Sequence, residues 1–416
     1  MDAKMAQLAI NGSTPVRTAP FPIWPWNLEE SAHAVDETVL SGRWGSINGE
    51  KVRKFENCFA SFQQTNYGIA VCNGTTALSL ALQASGVGPG DEVIVPAYTF
   101  IASAGAIMMS NAVPIFVDIA PQTYNIDPLL VEQAISPRTK AILVVHFGGL
   151  PADMDLLKKI ARRHNLVLIE DAAQAHGAKI GDMSVGGLGT ISGFSFQASK
   201  NLTSGEGGIV LTNDGDMAEL VRSLSDCGHP LKGPRYTHYY IAGNHRMTEL
   251  QGSLLLSQIK NLELQTQLRH ENGEYLTEQL QKIPGIIPLS KPPEVTRHSR
   301  HLYIFRYLKN AFHGIPKNYF IDALRAEGIP ASPGYSRPLY KQPVFIEKNF
   351  GIYQNSALSS VEFDKINLPV TEMACYSEGI WLTQNVLLGD RADMNDIVNA
   401  IEKIAENRDE LYEAYK

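Results

Sequence analysis

Between residues 67 and 224 the chain alternates short aliphatic runs with helical patterns, and few folds satisfy that alternation. Strand-like runs fall at 67–71, 92–96, 114–117, 141–146, 166–169, 190–196 and 208–212, with helical patterns between them at 75–85, 100–109, 128–135, 153–164 and 214–224. A run such as Leu166-Val167-Leu168-Ile169 is apolar at every position, which suits a strand buried on both faces. Strands alternating with helices build βαβ units. The expectation is therefore an α/β protein with a mostly parallel central sheet and helices on both sides.

The flanks read differently. Residues 1–30 lack periodicity but carry Phe21-Pro22-Ile23-Trp24-Pro25-Trp26, and the apolar area of two tryptophans favours a packed arm over a disordered tail. Helical patterns at 29–40 and 52–62 lead into the first strand, and a long one runs from 247 to about 281. Beyond Pro284, proline-rich turns separate a strand-like stretch at 301–308 from helices at 317–326 and 394–412. The reading is an arm at 1–30, a large α/β domain at 31–270 and a smaller C-terminal α+β domain at 271–416, a division that 416 residues allow.

A net charge of −7 and the lack of any Lys/Arg run argue against binding nucleic acid through bulk electrostatics. Cys58, Cys72, Cys227 and Cys375 are scattered without CxxC or metal-ligand spacing. They read as reduced thiols of a cytoplasmic protein, with no metal site expected. No signal peptide or membrane-spanning run is apparent. HExxH, GxSxG and Walker patterns are absent, which removes support for hydrolase or nucleotide-triphosphatase chemistry.

Three stretches carry chemistry. In the first, Lys200 follows an apolar run ending at Phe196 and precedes a glycine-rich turn, Ser204-Gly205-Glu206-Gly207-Gly208. A lysine so placed is readily desolvated, and a neutral amine is the form that attacks a carbonyl to make a Schiff base. The glycines read as a tight turn. In the second, the buried-strand pattern 166–169 ends in Glu170-Asp171-Ala172-Ala173-Gln174-Ala175-His176. Strand carboxyl ends are where open α/β sheets bind ligands. Asp171 there is either a helix N-cap or the partner of a ring nitrogen, as the pyridinium of pyridoxal phosphate requires. In the third, Cys72-Asn73-Gly74-Thr75-Thr76 opens a helix whose free N–H groups suit a phosphate, with Gly74 allowing close approach and the threonine hydroxyls able to donate.

Together these stretches resemble the DegT/DnrJ/EryC1/StrS family of pyridoxal-phosphate sugar and cyclitol aminotransferases. Other matching stretches are Ser41-Gly42-Arg43-Trp44, Pro96-Ala97-Tyr98-Thr99-Phe100, His146-Phe147-Gly148 and Gly243-Asn244-His245-Arg246-Met247, so the resemblance spans nearly the whole chain. It implies the type I (aspartate aminotransferase-like) fold of pyridoxal-phosphate-dependent transferases. It also implies roles residue by residue. Lys200 would link covalently to the cofactor and then act as acid and base, and Asp171 would pair with the pyridinium nitrogen. Gln174 would bond the ring hydroxyl, and Phe100 would stack on the ring. Ser195 would hold the phosphate with Gly74, Thr75 and Thr76. Asn244 would reach the phosphate of a neighbouring subunit, making a homodimer with shared sites. On residues alone, Gln174 could be an ordinary loop amide, Phe100 a core aromatic and His146 a satisfied strand-end histidine. His176 matches the family without an assignable role.

The expected activity is transfer of an amino group from glutamine or glutamate to a keto-cyclitol or keto-sugar. The Pro-Ile-Trp-Pro arm and the compact 196–203 stretch resemble aminocyclitol antibiotic enzymes, which act on scyllo-inosose-like ketones and favour glutamine. The alternatives are a nucleotide-4-keto-6-deoxysugar aminotransferase and, in another class, a non-catalytic pyridoxal-phosphate-binding regulatory protein. A family dehydratase would carry His where this chain has Lys200. Arg43, Arg246 and Arg337 are candidates for the donor carboxylate, because a guanidinium matches it in bidentate fashion.

Overall fold

A computed structural model describes residues 7–26, 28–230, 234 and 236–416. Parts of the expected arm, residues 1–6 and 27, lie outside them. The centre is a seven-stranded sheet made of β1 (Tyr67–Val71), β2 (Glu92–Pro96), β3 (Val113–Val117), β4 (Thr139–Val145), β5 (Val167–Asp171), β8 (Ile191–Ser195) and β9 (Gly208–Thr212). Two-residue strands β6 (Lys179–Ile180) and β7 (Met183–Ser184) form a separate small sheet with β11 (Val295–Arg297). The order in the large sheet is β1-β9-β8-β5-β4-β2-β3. Five neighbouring strands, from β8 to β3, run parallel, and β9 runs against both β8 and β1. The sheet is mostly parallel, and its order places β5, β8, β9 and β1 side by side.

The aliphatic runs divide their side chains between two cores. Ile94, Ile142, Val144, Leu168, Ile209 and Leu211 face one way, against α2 (Lys51–Phe62), α6 (Met154–Arg163) and α8 (Glu249–Leu280). Val93, Val95, Leu143, Val145, Ile169 and Val210 face the other. There they meet α3 (Gly74–Ala84), α4 (Ile101–Met109) and α7 (Gly215–Ser225). Burial on both faces is what all-apolar strand runs require. The remaining helices of this half are α1 (Leu28–Leu40), packed along α8, and α5 (Pro128–Gln133).

Helix α8 starts at a capping box between Thr248 and Gln251 and runs 32 residues, through position 270. At 1.5 Å per residue it is about 48 Å long. It leads to a second sheet of β10 (Ile286–Pro288), β12 (Leu302–Tyr307) and β13 (Gly379–Thr383). Strand β12 alternates: Tyr303, Phe305 and Tyr307 enter a core with Phe320, Leu324 and Ile397, while Leu302 and Ile304 join Tyr98, Tyr124 and Phe147 beside the large sheet. Leu339, Tyr340, Phe345 and Phe363 return to the second face of the large sheet. None of the helices in the described residues is long and apolar enough to cross a membrane.

Residues 7–26 pack as an ordered strip. Buried Glu327 accepts from the Ala9 and Val16 N–H groups and from Lys403, and Arg17 pairs with Asp393 and Asp396 at 2.7 and 2.8 Å. Farther along, the Trp24 indole N–H donates to the Ala198 carbonyl at 3.1 Å, two residues before Lys200.

Candidate active site

The register of four strands assembles the site. Asp171, the last residue of β5, pairs with Gly193 of β8; two residues on, Ser195 ends β8 opposite Gly208, and Gly208 in turn lies opposite Val71, the end of β1. The chain then turns at Cys72 and Asn73 into α3. Asn73 caps that helix by accepting from the Thr76 N–H at 2.8 Å, which leaves the N–H groups of Gly74 and Thr75 without an intrahelical partner. Helix start and sheet end touch closely because both carry glycine. A Cβ on Gly74 would come within 2.6 Å of the Ser195 Cβ, and one on Gly208 within 2.4 Å of the Asn73 carbonyl oxygen. Gly208 thus differs from the tight-turn reading: Gly205 makes the turn at φ +80°, whereas Gly208 opens β9 and is small because a helix start sits on it.

Asp171 is buried, and its Oδ2 accepts from Ser103 at 2.7 Å while its Oδ1 accepts from the Ala173 N–H at 3.2 Å. Burial raises its pKa from the ordinary carboxylate value, against the opposing pull of those hydrogen bonds and of Lys200. Lys200 follows β8 in the turn whose Ala198 carbonyl accepts from Trp24. Burial lowers its pKa to about 8, with the Asp171 charge pulling the other way. A lysine with an appreciable neutral fraction at physiological pH, near a sheltered carboxyl, can attack a carbonyl and then carry protons.

Gln174 is buried with its Oε1 accepting from the Gly148 N–H at 2.7 Å, so its amide hydrogens point away from that turn. The Tyr335 hydroxyl, from the C-terminal part of the chain, faces the Gln174 amide and the Asp171 charge. His176 is fully buried among Phe59, Phe194 and Phe196 and donates from Nε2 to the Ser195 carbonyl at 2.9 Å. Burial and the nearby Lys200 charge push its pKa to about 3, so it stays neutral and holds the end of β8. His146 is a satisfied histidine. Its Nδ1 accepts from the Ala152 N–H at 3.1 Å, so Nε2 carries the proton and meets Glu170 at 3.0 Å.

Asp171, Gln174, Ser195, Lys200, Gly74, Thr75 and Thr76 therefore gather at one end of the sheet. Phe100 caps the start of α4, three residues before Ser103, and is 58% exposed. Asn244 is exposed on an extended strip whose next residue, His245, accepts from the Cys72 N–H at 2.9 Å. Arg246 is paired with Asp226, and Arg43 and Arg337 are exposed.

Residues 297–301 were not foreseen as part of the site. Ser299 donates to the Gly149 and Gln174 carbonyls, His298 bonds the Gly148 carbonyl, and Arg297 donates to the Gly177 carbonyl. This crosspiece clamps the turns after β4 and β5. Gly149, at φ +87°, makes room for it, since a Cβ there would lie 2.3 Å from the Ser299 Oγ. The run Arg297-His298-Ser299-Arg300-His301 just before a largely apolar, aromatic-rich strand was the available signal. Ser103 could have been found as a polar residue inside the otherwise apolar α4.

Comparison with known proteins is consistent with this geometry. The sequence profile of the DegT/DnrJ/EryC1/StrS aminotransferase family matches residues 27–401. A relative described as L-glutamine:2-deoxy-scyllo-inosose aminotransferase from Streptoalloteichus tenebrarius is 37% identical over 97% of this chain and 99% of its own length. A protein of the same description from Streptomyces lividus is 37% identical over 96% of this chain and 98% of its own. The solved structure of 3-amino-5-hydroxybenzoic acid synthase superposes with a TM-score of 0.85 at 35% identity, over 95% of this chain and all (100%) of that one.

Proposed function

Because this chain belongs to the DegT/DnrJ/EryC1/StrS aminotransferase family, we propose that it transfers the amino group of L-glutamine to a keto-cyclitol of the scyllo-inosose type, with pyridoxal phosphate as cofactor. The observation that carries the reading is the half-buried, pKa-depressed Lys200 near buried Asp171, in register with a glycine-lined helix start. The relatives' descriptions supply the substrate class.

The residues fit the cofactor. The Gly74 and Thr75 N–H groups, the Thr75 and Thr76 hydroxyls and Ser195 offer donors to a phosphate at a helix N-terminus. Asp171 would suit a protonated ring nitrogen, and the Gln174 amide hydrogens, shared with the Tyr335 hydroxyl, would suit a ring hydroxyl. Exposed Phe100 offers an aromatic face. When bound, the group serves as electron sink for the carbanion left at the amino acid's Cα. Lys200 would hold it covalently at rest and would then take and return the Cα proton, a task its pKa near 8 matches. Ser103 keeps Asp171 aimed, and His176 keeps Ser195 in place.

The unit that works is a homodimer in this reading, with Asn244 serving the partner's phosphate. Trp44 and Ile241 are 57% and 103% exposed in the single chain, apolar side chains that a second copy would cover. The test is a half-reaction. With the protein loaded, L-glutamine should bleach the near-visible band of the bound cofactor and a scyllo-inosose should restore it. A band that no amino acid changes would overturn the reading.

A further inference from the structure

The turn after Lys200 fixes the tautomer of a histidine from the other half of the molecule. Asn201, fully buried, donates from Nδ2 to the Ser299 carbonyl at 2.8 Å, which leaves its Oδ1 facing the Nδ1 of His301 at 3.1 Å. An amide oxygen only accepts, so Nδ1 carries the ring proton and Nε2 presents a lone pair. Among the described residues no hydrogen bond reaches Nε2, and the residue as a whole is 7% exposed. Lys200, His176 and Arg269 all lie near enough to bear on the ring's charge. Arg269 comes from α8, stacked 5.0 Å from the Trp24 ring with both terminal nitrogens unpartnered. Burial and these neighbours hold the imidazole neutral, well below its ordinary pKa.

We propose that His301 is a substrate-binding residue whose Nε2 accepts a hydrogen bond from the uncharged end of each substrate, and that it thereby selects L-glutamine over L-glutamate as donor. The inference rests on the aminotransferase reading above. In a reaction with two half-steps, one pocket receives donor and acceptor in turn. A glutamine amide offers N–H and a cyclitol offers O–H, so one lone pair serves both. A glutamate carboxylate has no hydrogen to give and meets the lone pair with its own charge.

His301→Phe removes the acceptor but keeps an apolar ring. The second-order rate constant of the half-reaction with L-glutamine should fall about tenfold, the worth of one hydrogen bond, while that with L-alanine, which has no amide, stays within about twofold. Asn201→Asp is the second variant: a carboxylate on Nδ1 favours the imidazolium, Nε2 becomes a donor, and the preference should move toward L-glutamate. Equal losses for glutamine and alanine in His301→Phe would reduce the ring to a structural role and overturn the proposal, as would an unchanged glutamine-to-glutamate ratio in both variants. Failure of the underlying reading shows separately, as a loaded wild-type protein that no amino acid converts. In that event calorimetric binding of α-methyl-glutamine and α-methyl-glutamate decides: a preference for the amide that His301→Phe abolishes supports the assignment, and its absence overturns it.

Discussion

Replacing Gly208 by alanine tests whether strand register sets the site. A Cβ there would stand 2.4 Å from the Asn73 carbonyl oxygen and 2.8 Å from the Gly74 nitrogen. Both are backbone atoms, and neither can swing aside. Ordinary separation is about 3.5 Å, so β9 and the turn before α3 must part by roughly 1 Å. Overpacking of this kind costs about 1–3 kcal/mol, which lowers the melting temperature by about 2–6 °C in a large chain. The same displacement moves the Gly74 and Thr75 N–H groups away from Ser195. Misplacing positioning groups by 1 Å can cost about a hundredfold, so pyridoxal phosphate affinity, from fluorescence titration of cofactor-free protein, should fall by about ten- to a hundredfold. Gly88→Ala is the control, because its Cβ would meet nothing within 4 Å and its φ is not left-handed. Its stability should stay within about 0.5 kcal/mol of wild type. If Gly208→Ala matches Gly88→Ala in both melting and affinity, the glycine contact does not set the site.

Two further outcomes follow from the same geometry. Lys200 titrates near 8 in the folded chain and about 10.4 when unfolded, so between those values the unfolded state binds more protons and the stability of cofactor-free protein rises with pH. Lys200→Met should remove that part of the slope and melt higher than wild type at pH 7, with the gap closing toward pH 10; identical slopes would show that Lys200 is not desolvated. If sites are shared between subunits, the protein sediments as a dimer. Co-expressed Lys200→Ala and Asn244→Ala chains should then recover about a quarter of wild-type activity through mixed dimers, whereas a monomer, or no recovery, would place Asn244 outside the partner's site.

Much of the frame was legible because it depends on local pattern. The continuous apolar runs mark strands buried on both faces, and β1, β2 and β9 begin and end where the runs do. Lys200 and Gly74 were legible because each sits at an abrupt change from apolar to small and polar residues. What escaped depends on distant partners. The two-residue strands β6 and β7 are too short for any periodicity to register. The Ser299 hydroxyl, the Asn201 amide and Tyr335 matter through groups about 100 residues or more away, which no window reads. Gly208 reads locally as a turn glycine at the start of a strand, and no window shows the helix start that rests on it, which belongs to residues 73 and 74.

The antiparallel strand β9 also governs when the protein can come into being. Strands β2 and β3 are joined by one helix and can pair as soon as residue 117 is made. Val71 must wait for Gly208, 137 residues later, before β1 has a neighbour. At about 5–20 residues per second, that leaves β1 and its aliphatic edge unpaired for on the order of 10 s on every nascent chain. Until then β1, the segment whose end becomes the phosphate turn, has mainly the preceding helix α2 to pack against. The phosphate turn gains its strand neighbours only once residue 212 is made, and the crosspiece at 297–301 that clamps the neighbouring turns comes later still.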